Sequence, residues 1–385
     1  MAAPSLLLDF AVVLIAAEVG GTLFRRARLP RAVGMLVAGI LLGPFTPGYV
    51  VDLDGIAGLA LLGAVFLMFS TGLSYDIRGF RKLGAWPFVL AGLGVGASFA
   101  LGLALGLLAG WPTLGALFVG LLLTSTSTTL AVKLLADSGL GGVAGADLIT
   151  AAIIVDDIAA LVLMTVVVGI AAPVPVPPSF LLAGLAAIVG LAVLLILVSR
   201  HALPRILLAT DRISPSSVVV VAVSLALFVS FGFVLLGMPP FLGAFFAGSI
   251  IASTEYGARV GRHMAPVTAI FMGVFFASTG FLIDPARLPG VLGLGLAAVG
   301  LAVVAKVLPG YAILSRTATP PTQRWALAAI LIPRAEISLI IAQYGASLGL
   351  SGDLLALAMA VMIGTALLPS AFLLRVRTPA PKTGA

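Results

Sequence analysis

The chain has 385 residues, of which 61% are hydrophobic and only 9% are charged. Because soluble domains carry about 25% charged residues, this composition excludes a large soluble domain and indicates a helical protein that crosses a membrane many times. The chain has no cysteine, which excludes disulfides and thiol chemistry, and its net charge of +7 reflects basic loops rather than a nucleic-acid site.

Apolar segments recur along the whole chain and predict thirteen transmembrane spans, numbered 1 to 13 in chain order. Their ranges are 5–24, 30–43, 55–73, 84–110, 113–136, 143–169, 180–200, 215–237, 239–254, 263–283, 289–314, 323–348 and 352–375. Eighteen of the 21 Lys and Arg residues fall in loops or the tail on one side of these spans. The positive-inside rule therefore predicts that the N-terminus is outside and the C-terminus is cytoplasmic.

Two short sequence patterns occur twice in the chain. Leu29–Gly39 (LPRAVGMLVAG) matches Met238–Gly248 (MPPFLGAFFAG) at a proline, two glycines and an alanine, each 209 positions apart. Ser70–Gly72 and Ser278–Gly280 both read Ser-Thr-Gly and lie 208 positions apart. Two ungapped matches at nearly the same offset indicate an internal repeat.

The copies lie in spans of opposite direction, since spans 2 and 9 are an odd number of spans apart. We therefore predict two inverted repeats, residues 1–170 and 213–376, joined by a linker helix at 180–200, all within one transmembrane transporter domain of residues 1–385. Inverted repeats are typical of secondary transporters, whose substrate sites lie near the midplane between interrupted helices.

Spans 5 and 12 carry the signals of such interruptions. Thr124–Thr129 reads TSTSTT, six hydroxyl residues that can satisfy freed backbone groups or ligate a cation. Ile332–Glu336 reads IPRAE, in which Pro333 lacks an N–H group and disrupts the preceding turn. A hydroxyl run can also bond back to its own helix. Because both segments are the fifth span of their repeat, we predict two broken helices that cross, with Arg334 and Glu336 neutralising the ends of the half-helices.

Asp156 and Asp157 lie side by side in the middle of span 6. An ionised carboxylate at the membrane centre costs roughly 2.5 to 3.5 kcal/mol even on the mildest scale, so such residues are usually functional, although burial for packing or register is the alternative. Lys306 is the only lysine at mid-depth in the predicted spans and is the expected counter-ion. A desolvated carboxylate can exchange a proton for a hard cation, so Na⁺ and H⁺ would compete for one site.

The tandem aspartates, the hydroxyl-rich break, the lysine of span 11 and the broken span 12 resemble the cation/proton antiporter superfamily, in its electrogenic aspartate–aspartate branch. The resemblance covers essentially the whole chain and implies an all-α polytopic protein of thirteen helices with the NhaA-like fold. It implies that Asp157 is the main carboxylate that binds Na⁺ and that Asp156 pairs with Lys306. It also implies a homodimer, with a dimerisation domain and a core that moves like an elevator. The residues expected at the helix crossing or supporting it are Thr126, Ser127, Thr128, Pro333, Arg334 and Glu336.

The predicted function is secondary active export of Na⁺ or Li⁺ in exchange for H⁺, by alternating access in a bacterial plasma membrane. The expected partners are membrane lipids and a second copy of the chain, with no nucleic acid and no cofactor. A K⁺/H⁺ antiporter of the same fold stays open, as do a Na⁺-coupled symporter of an organic solute, which would need a larger polar cavity, and a passive channel. No enzyme activity is expected, because His201 and His263 are predicted in cytoplasmic loops. The sequence leaves open whether Asp156 or Lys306 carries a second proton.

Overall fold

A computed structural model describes residues 3–27, 29–46, 48–74, 84–171, 203–236 and 238–373, together with Gly190. Within these ranges the regular secondary structure is helical, without β-strands. The helices of the N-terminal part are α1 (Ala3–Arg26), α2 (Arg31–Leu42), α3 (Leu53–Leu73), α4 (Trp86–Leu108), α5 (Thr113–Leu122), α6 (Thr128–Ser138) and α7 (Ala146–Ala171). Those after residue 200 are α8 (Leu203–Asp211), α9 (Pro215–Leu235), α10 (Pro240–Ala252), α11 (Gly257–Phe281), α12 (Leu288–Leu314), α13 (Pro321–Ala329), α14 (Glu336–Ser347) and α15 (Asp353–Leu373).

The predicted spans correspond to these helices, but spans 5 and 12 are each divided in two. Span 5 is α5 followed by α6, and span 12 is α13 followed by α14. Seven helices of the described part are long and apolar enough to cross a membrane, and α2, α5, α10 and most of α15 form shorter apolar helices. A polytopic helical membrane protein is therefore confirmed. The count of thirteen stays a prediction, because the linker span at 180–200 lies outside the described residues except for Gly190.

Two segments differ from the sequence-based expectation. Helix α8 occupies a segment predicted as loop, because Leu203 and Leu207, one helical turn apart, are both buried. Helix α11 begins at Gly257, before the predicted start of span 10, so His263 lies in a helix rather than a loop. The Nδ1 atom of His263 lies 2.9 Å from the carbonyl oxygen of Arg259, one turn earlier. His201 lies outside the described residues.

The chain divides into two compact units, each of which takes segments from both predicted repeats. The first unit comprises Met1–Glu18, Gly48–Gly79 and Thr165–Ser278, and the second comprises Val19–Pro47, Phe80–Met164 and Thr279–Ala385. In the first unit α10 packs against α3 and α9. In the second unit α12 packs against α4, α13 and α15, and α5 packs against α4 and α14. Every predicted site residue belongs to the second unit.

The matched Ser-Thr-Gly motifs make matched helix contacts. In the first unit, a Cβ atom at Gly72 would collide with the carbonyl oxygen of Phe245 on α10. In the second unit, a Cβ atom at Gly280 would collide with the carbonyl oxygen of Leu36 on α2. Phe245 and Leu36 occupy corresponding positions of the predicted repeats. Glycine therefore permits the same close backbone approach in both units, as is common between membrane helices. The repeat boundaries themselves stay a prediction.

A buried hydrophobic cluster in the second unit holds together the helices that carry the site. Most of its members come from α6, α7, α12 and α13, and they include Leu135, Ile153, Ile313 and Leu327; α4 contributes Leu90, and the break after α13 contributes residues 330–332. Lipid is as apolar as these side chains, so the contribution of the cluster comes from close packing rather than from removal of water. This packing sets the rotation of each helix about its axis and hence the direction of its polar side chains.

Candidate functional site

Asp156 on α7 forms a buried ion pair with Lys306 on α12. The Nζ atom of Lys306 donates to Oδ2 of Asp156 at 2.5 Å, and the two side chains are only 1% and 2% exposed. The hydroxyl group of Thr126 donates to the same carboxylate oxygen at 3.0 Å. A buried charge without a partner is strongly destabilised by the loss of its hydration. The ion pair therefore stabilises both side chains in their ionised forms.

Asp157 has a different hydrogen-bond partner. The hydroxyl group of Thr128, the first residue of α6, donates to Oδ2 of Asp157 at 2.9 Å. Neighbouring residues of a helix point about 100° apart, which explains why the two adjacent aspartates reach different groups. The structure thus brings Asp157 to the N-terminus of a half-helix, whose partial positive charge favours an anion.

The breaks in the two interrupted helices meet through backbone and side-chain hydrogen bonds. The backbone N–H group of Ser127 donates to the carbonyl oxygen of Pro333 at 2.7 Å. The hydroxyl group of Ser127 donates to Oε2 of Glu336 at 3.0 Å and accepts from the N–H group of Leu130 at 3.4 Å, which caps α6. These contacts satisfy backbone groups that the breaks leave without helical partners.

Arg334 lies in the break between α13 and α14 and is completely buried. Its Nη1 atom donates to the carbonyl oxygen of Leu331 at 3.0 Å and to the hydroxyl group of Thr126 at 3.3 Å. Thr126 therefore connects the guanidinium group to the carboxylate of Asp156. A cation just beyond the C-terminus of α13, and Glu336 in the first turn of α14, both match the helix dipoles. This geometry fits the structural role predicted for Arg334 and Glu336, a role that stays a prediction.

Four charged residues of the site are at most 1% exposed, namely Asp156, Asp157, Lys306 and Arg334. When all four are ionised, their formal charges cancel. A monovalent cation that enters this dry cluster adds one charge, which is unfavourable unless a proton leaves. The arrangement is therefore suited to exchanging a cation for protons. The described residues hold no group of three or more His, Cys, Asp or Glu side chains placed to bind a resident metal ion.

Two polar residues of this region, Ser338 and Thr365, were not predicted from the sequence. Ser338 of α14 donates to the carbonyl oxygen of Leu122, which ends α5, at 2.8 Å, and its hydroxyl group lies 3.0 Å from that of Ser125. Thr365 of α15 accepts the backbone N–H group of Arg334 at 3.0 Å. Ser338 and Thr365 are isolated hydroxyl residues in apolar spans. This is a weak signal, because such residues commonly bond to their own helix.

Comparison with known proteins identifies relatives of the whole chain. Residues 12–374 match the family model described as "Sodium/hydrogen exchanger, transmembrane". YbaL of Escherichia coli (strain K12), a cation/proton antiporter by name, is 29% identical over 91% of this chain, which spans only 65% of the length of YbaL. GerN of Bacillus cereus, named a Na⁺/H⁺-K⁺ antiporter, is 29% identical over 89% of this chain and 88% of its own length.

A solved structure resembles the fold. It is the sodium proton antiporter MjNhaP1 from Methanocaldococcus jannaschii, with a TM-score of 0.70 and 13% sequence identity. The superposition covers 97% of this chain and 96% of the MjNhaP1 chain. At that identity the likeness concerns the fold alone. The named relatives are transporters, which confirms that the chain is not an enzyme and confirms the resemblance to cation/proton antiporters. From the match over nearly its whole length, the chain belongs to the transmembrane sodium/hydrogen exchanger family.

Proposed function

We propose that the protein is a secondary active antiporter that exports Na⁺ or Li⁺ in exchange for H⁺ across a bacterial plasma membrane. The observation that carries this proposal is that two adjacent, buried aspartates have different hydrogen-bond partners. Asp156 is held by the ammonium group of Lys306, whereas Asp157 is held by the hydroxyl group of Thr128. Asp156 thus shares a direct ion pair with a protein cation, and Asp157 accepts a hydrogen bond from a hydroxyl group that can also ligate a cation.

Asp157 is the proposed binding site for the transported ion. Carboxylate and hydroxyl oxygens suit hard monovalent cations, and the broken helices beside the site bring further backbone carbonyl groups to the same depth. A proton and a Na⁺ ion would occupy the same carboxylate, so binding of one would displace the other. That competition yields antiport when the loaded site alternates between the two sides of the membrane.

Asp156 and Lys306 are the proposed coupling pair. When the transported cation draws Asp156 towards it, the ammonium group loses its partner, and the charge balance of the buried cluster favours release of a proton. Exchange of two protons for one Na⁺ would move net charge, so the membrane potential would contribute to sodium export. We further propose that the protein works as a homodimer, by an elevator-like movement of a core, with its N-terminus outside and its C-terminus cytoplasmic.

The test uses purified protein in liposomes that hold an imposed pH gradient, to which Na⁺, Li⁺ or K⁺ is added. We expect Na⁺ and Li⁺ to collapse the gradient in the wild type and Asp157→Asn to abolish this response. Asp147→Asn is the matched control, because Asp147 lies in the first turn of the same helix, is exposed and has no proposed role. Normal exchange by Asp157→Asn would refute the assignment of the site.

A second candidate is K⁺/H⁺ exchange by the same site. It is favoured by the relative GerN, whose name includes both Na⁺ and K⁺. Collapse of the gradient by K⁺ alone would keep the mechanism and change the ion. No response to any of the three cations would instead favour a Na⁺-coupled symporter.

A further inference from the structure

We propose that Gly94 and Ser98 on α4 form a second binding position for the ammonium group of Lys306. Lys306 would occupy this place while the transported cation engages Asp156. The inference rests on the proposed function, because only in an exchange cycle does the ion pair between Asp156 and Lys306 have to open.

Gly94 leaves space along the Lys306 side chain. A Cβ atom added at Gly94 would lie 3.0 Å from Cδ and 3.3 Å from Nζ of Lys306, closer than ordinary van der Waals contact. Two other glycines of α4, Gly92 and Gly96, would meet no atom within 4 Å. The absence of a side chain therefore matters on the face of α4 that carries Gly94, where the lysine already lies against the helix.

Ser98 follows Gly94 by one helical turn and lies on the same face. It is fully buried, and its hydroxyl group has no hydrogen-bond partner among the described residues. A serine in a helix ordinarily bonds to a carbonyl group of the preceding turn, and Ser98 does not. Helical side chains lean towards the N-terminus of their helix, which for Ser98 is the direction of Gly94 and the ammonium group beside it.

When Lys306 leaves Asp156, its ammonium group needs another hydrogen-bond acceptor. An ammonium group that leaves its carboxylate inside a dry cluster loses its hydrogen bonds and is strongly destabilised unless another acceptor is available. Lysine has a flexible stem and three N–H donors, so it can turn towards a neighbouring oxygen without movement of the backbone. The other charged groups beside it are Asp157 and Arg334, and the cationic Arg334 would repel it. The buried hydroxyl group of Ser98 is an acceptor without charge and without a competing partner in the described structure.

The experiment measures the Na⁺ concentration that gives half-maximal exchange in liposomes, together with the maximal rate. We expect Ser98→Ala to raise this concentration about threefold to tenfold, the effect of one lost hydrogen bond, with little change in the maximal rate. Ser98→Thr keeps the hydroxyl group and should restore the wild-type value to within about twofold. Gly96→Ala is the matched control on the same helix and should leave both values unchanged, whereas Gly94→Ala should raise the half-maximal concentration.

Removal of a buried hydroxyl group without a partner would not weaken the fold, so a purely structural role predicts no change in the half-maximal concentration for Ser98→Ala. The decisive comparison is the same substitution in a Lys306→Gln background, where no ammonium group exists and no further effect is expected. If that variant exchanges too slowly, stabilisation of the purified protein by Na⁺ on heating gives the same comparison.

An unchanged Ser98→Ala variant, or an equal shift in the Lys306→Gln background, would overturn this inference alone. A wild-type protein without cation-driven exchange, or an active Asp157→Asn variant, would overturn the proposed function and this inference with it.

Discussion

Substitution of Thr126 by valine tests whether the hydroxyl group at the helix crossing stabilises the buried charges of Asp156 and Arg334. The hydroxyl group donates to Asp156 at 3.0 Å and accepts from Arg334 at 3.3 Å. Valine has nearly the same shape but offers neither a donor nor an acceptor. The variant Thr126→Val therefore removes these two hydrogen bonds, and a longer contact of 3.4 Å with the carbonyl oxygen of Leu331, with little change in packing.

The size of the effect follows from the partners of this hydroxyl group. A hydrogen bond between neutral groups of membrane helices contributes about 0.6 kcal/mol on average. A hydrogen bond to a charged group contributes about 1.5–3 kcal/mol. The bond to Asp156 is of the second kind, whereas the longer bond to Arg334 adds less. We therefore expect Thr126→Val to lower the free energy of unfolding by about 2 kcal/mol.

The measurement is the free energy of unfolding in lipid–detergent mixed micelles. Thr124→Val is the matched control, because Thr124 is equally buried and donates to the carbonyl oxygen of Leu121 within its own half-helix at 2.6 Å. Loss of such a local bond should change stability by less than about 0.5 kcal/mol. Equal effects of the two substitutions would refute the view that Thr126 holds the buried charges in place.

Three further substitutions test other contacts of the second unit. Lys306→Gln should keep some exchange but weaken its response to a clamped membrane potential, measured as the ratio of charge to Na⁺ moved. Thr128→Val should raise the half-maximal Na⁺ concentration in liposomes about tenfold, because it removes the hydroxyl donor of the proposed ion-binding carboxylate. Gly280→Ala should lower the free energy of unfolding by about 1–3 kcal/mol, because its Cβ atom would collide with the backbone of Leu36. Gly300→Ala, with no atom within 4 Å, should not lower it.

Each of these expectations has a result that contradicts it. An unchanged ratio of charge to ion in Lys306→Gln would remove Lys306 from the coupling. An unchanged half-maximal concentration in Thr128→Val would place the transported ion elsewhere. Equal stability of the two glycine variants would mean that the contact between α2 and α11 adapts without cost.

The sequence by itself determined the class of protein, the broken helices and the residues of interest. These are local properties. Long apolar runs are long enough to span the bilayer, the proline at position 333 removes a backbone donor from its helix, and carboxylates in the middle of an apolar run usually have a function or a partner. Proline alone does not decide a break, since Pro309 lies inside the continuous helix α12. The resemblance to cation/proton antiporters could be drawn from the same motifs. The helix α8 was missed, because its proline and charges resemble a loop and only tertiary burial of its leucines reveals it.

The resemblance implied the pairing of Asp156 with Lys306, but the geometry of that pair and the partners of the other polar groups were decided only by the tertiary structure. Asp156 and Lys306 are 150 positions apart, and their contact depends on how α7 and α12 are rotated about their axes. Both helices are apolar on nearly every side, so no polar stripe in the sequence marks the face that meets a neighbour. For the same reason the contact of Arg334 with Thr126, and the place of Gly94 beside the lysine, could not be predicted. In a membrane protein the rotation of a helix is set by close packing against its neighbours, because lipid and protein interior are equally apolar.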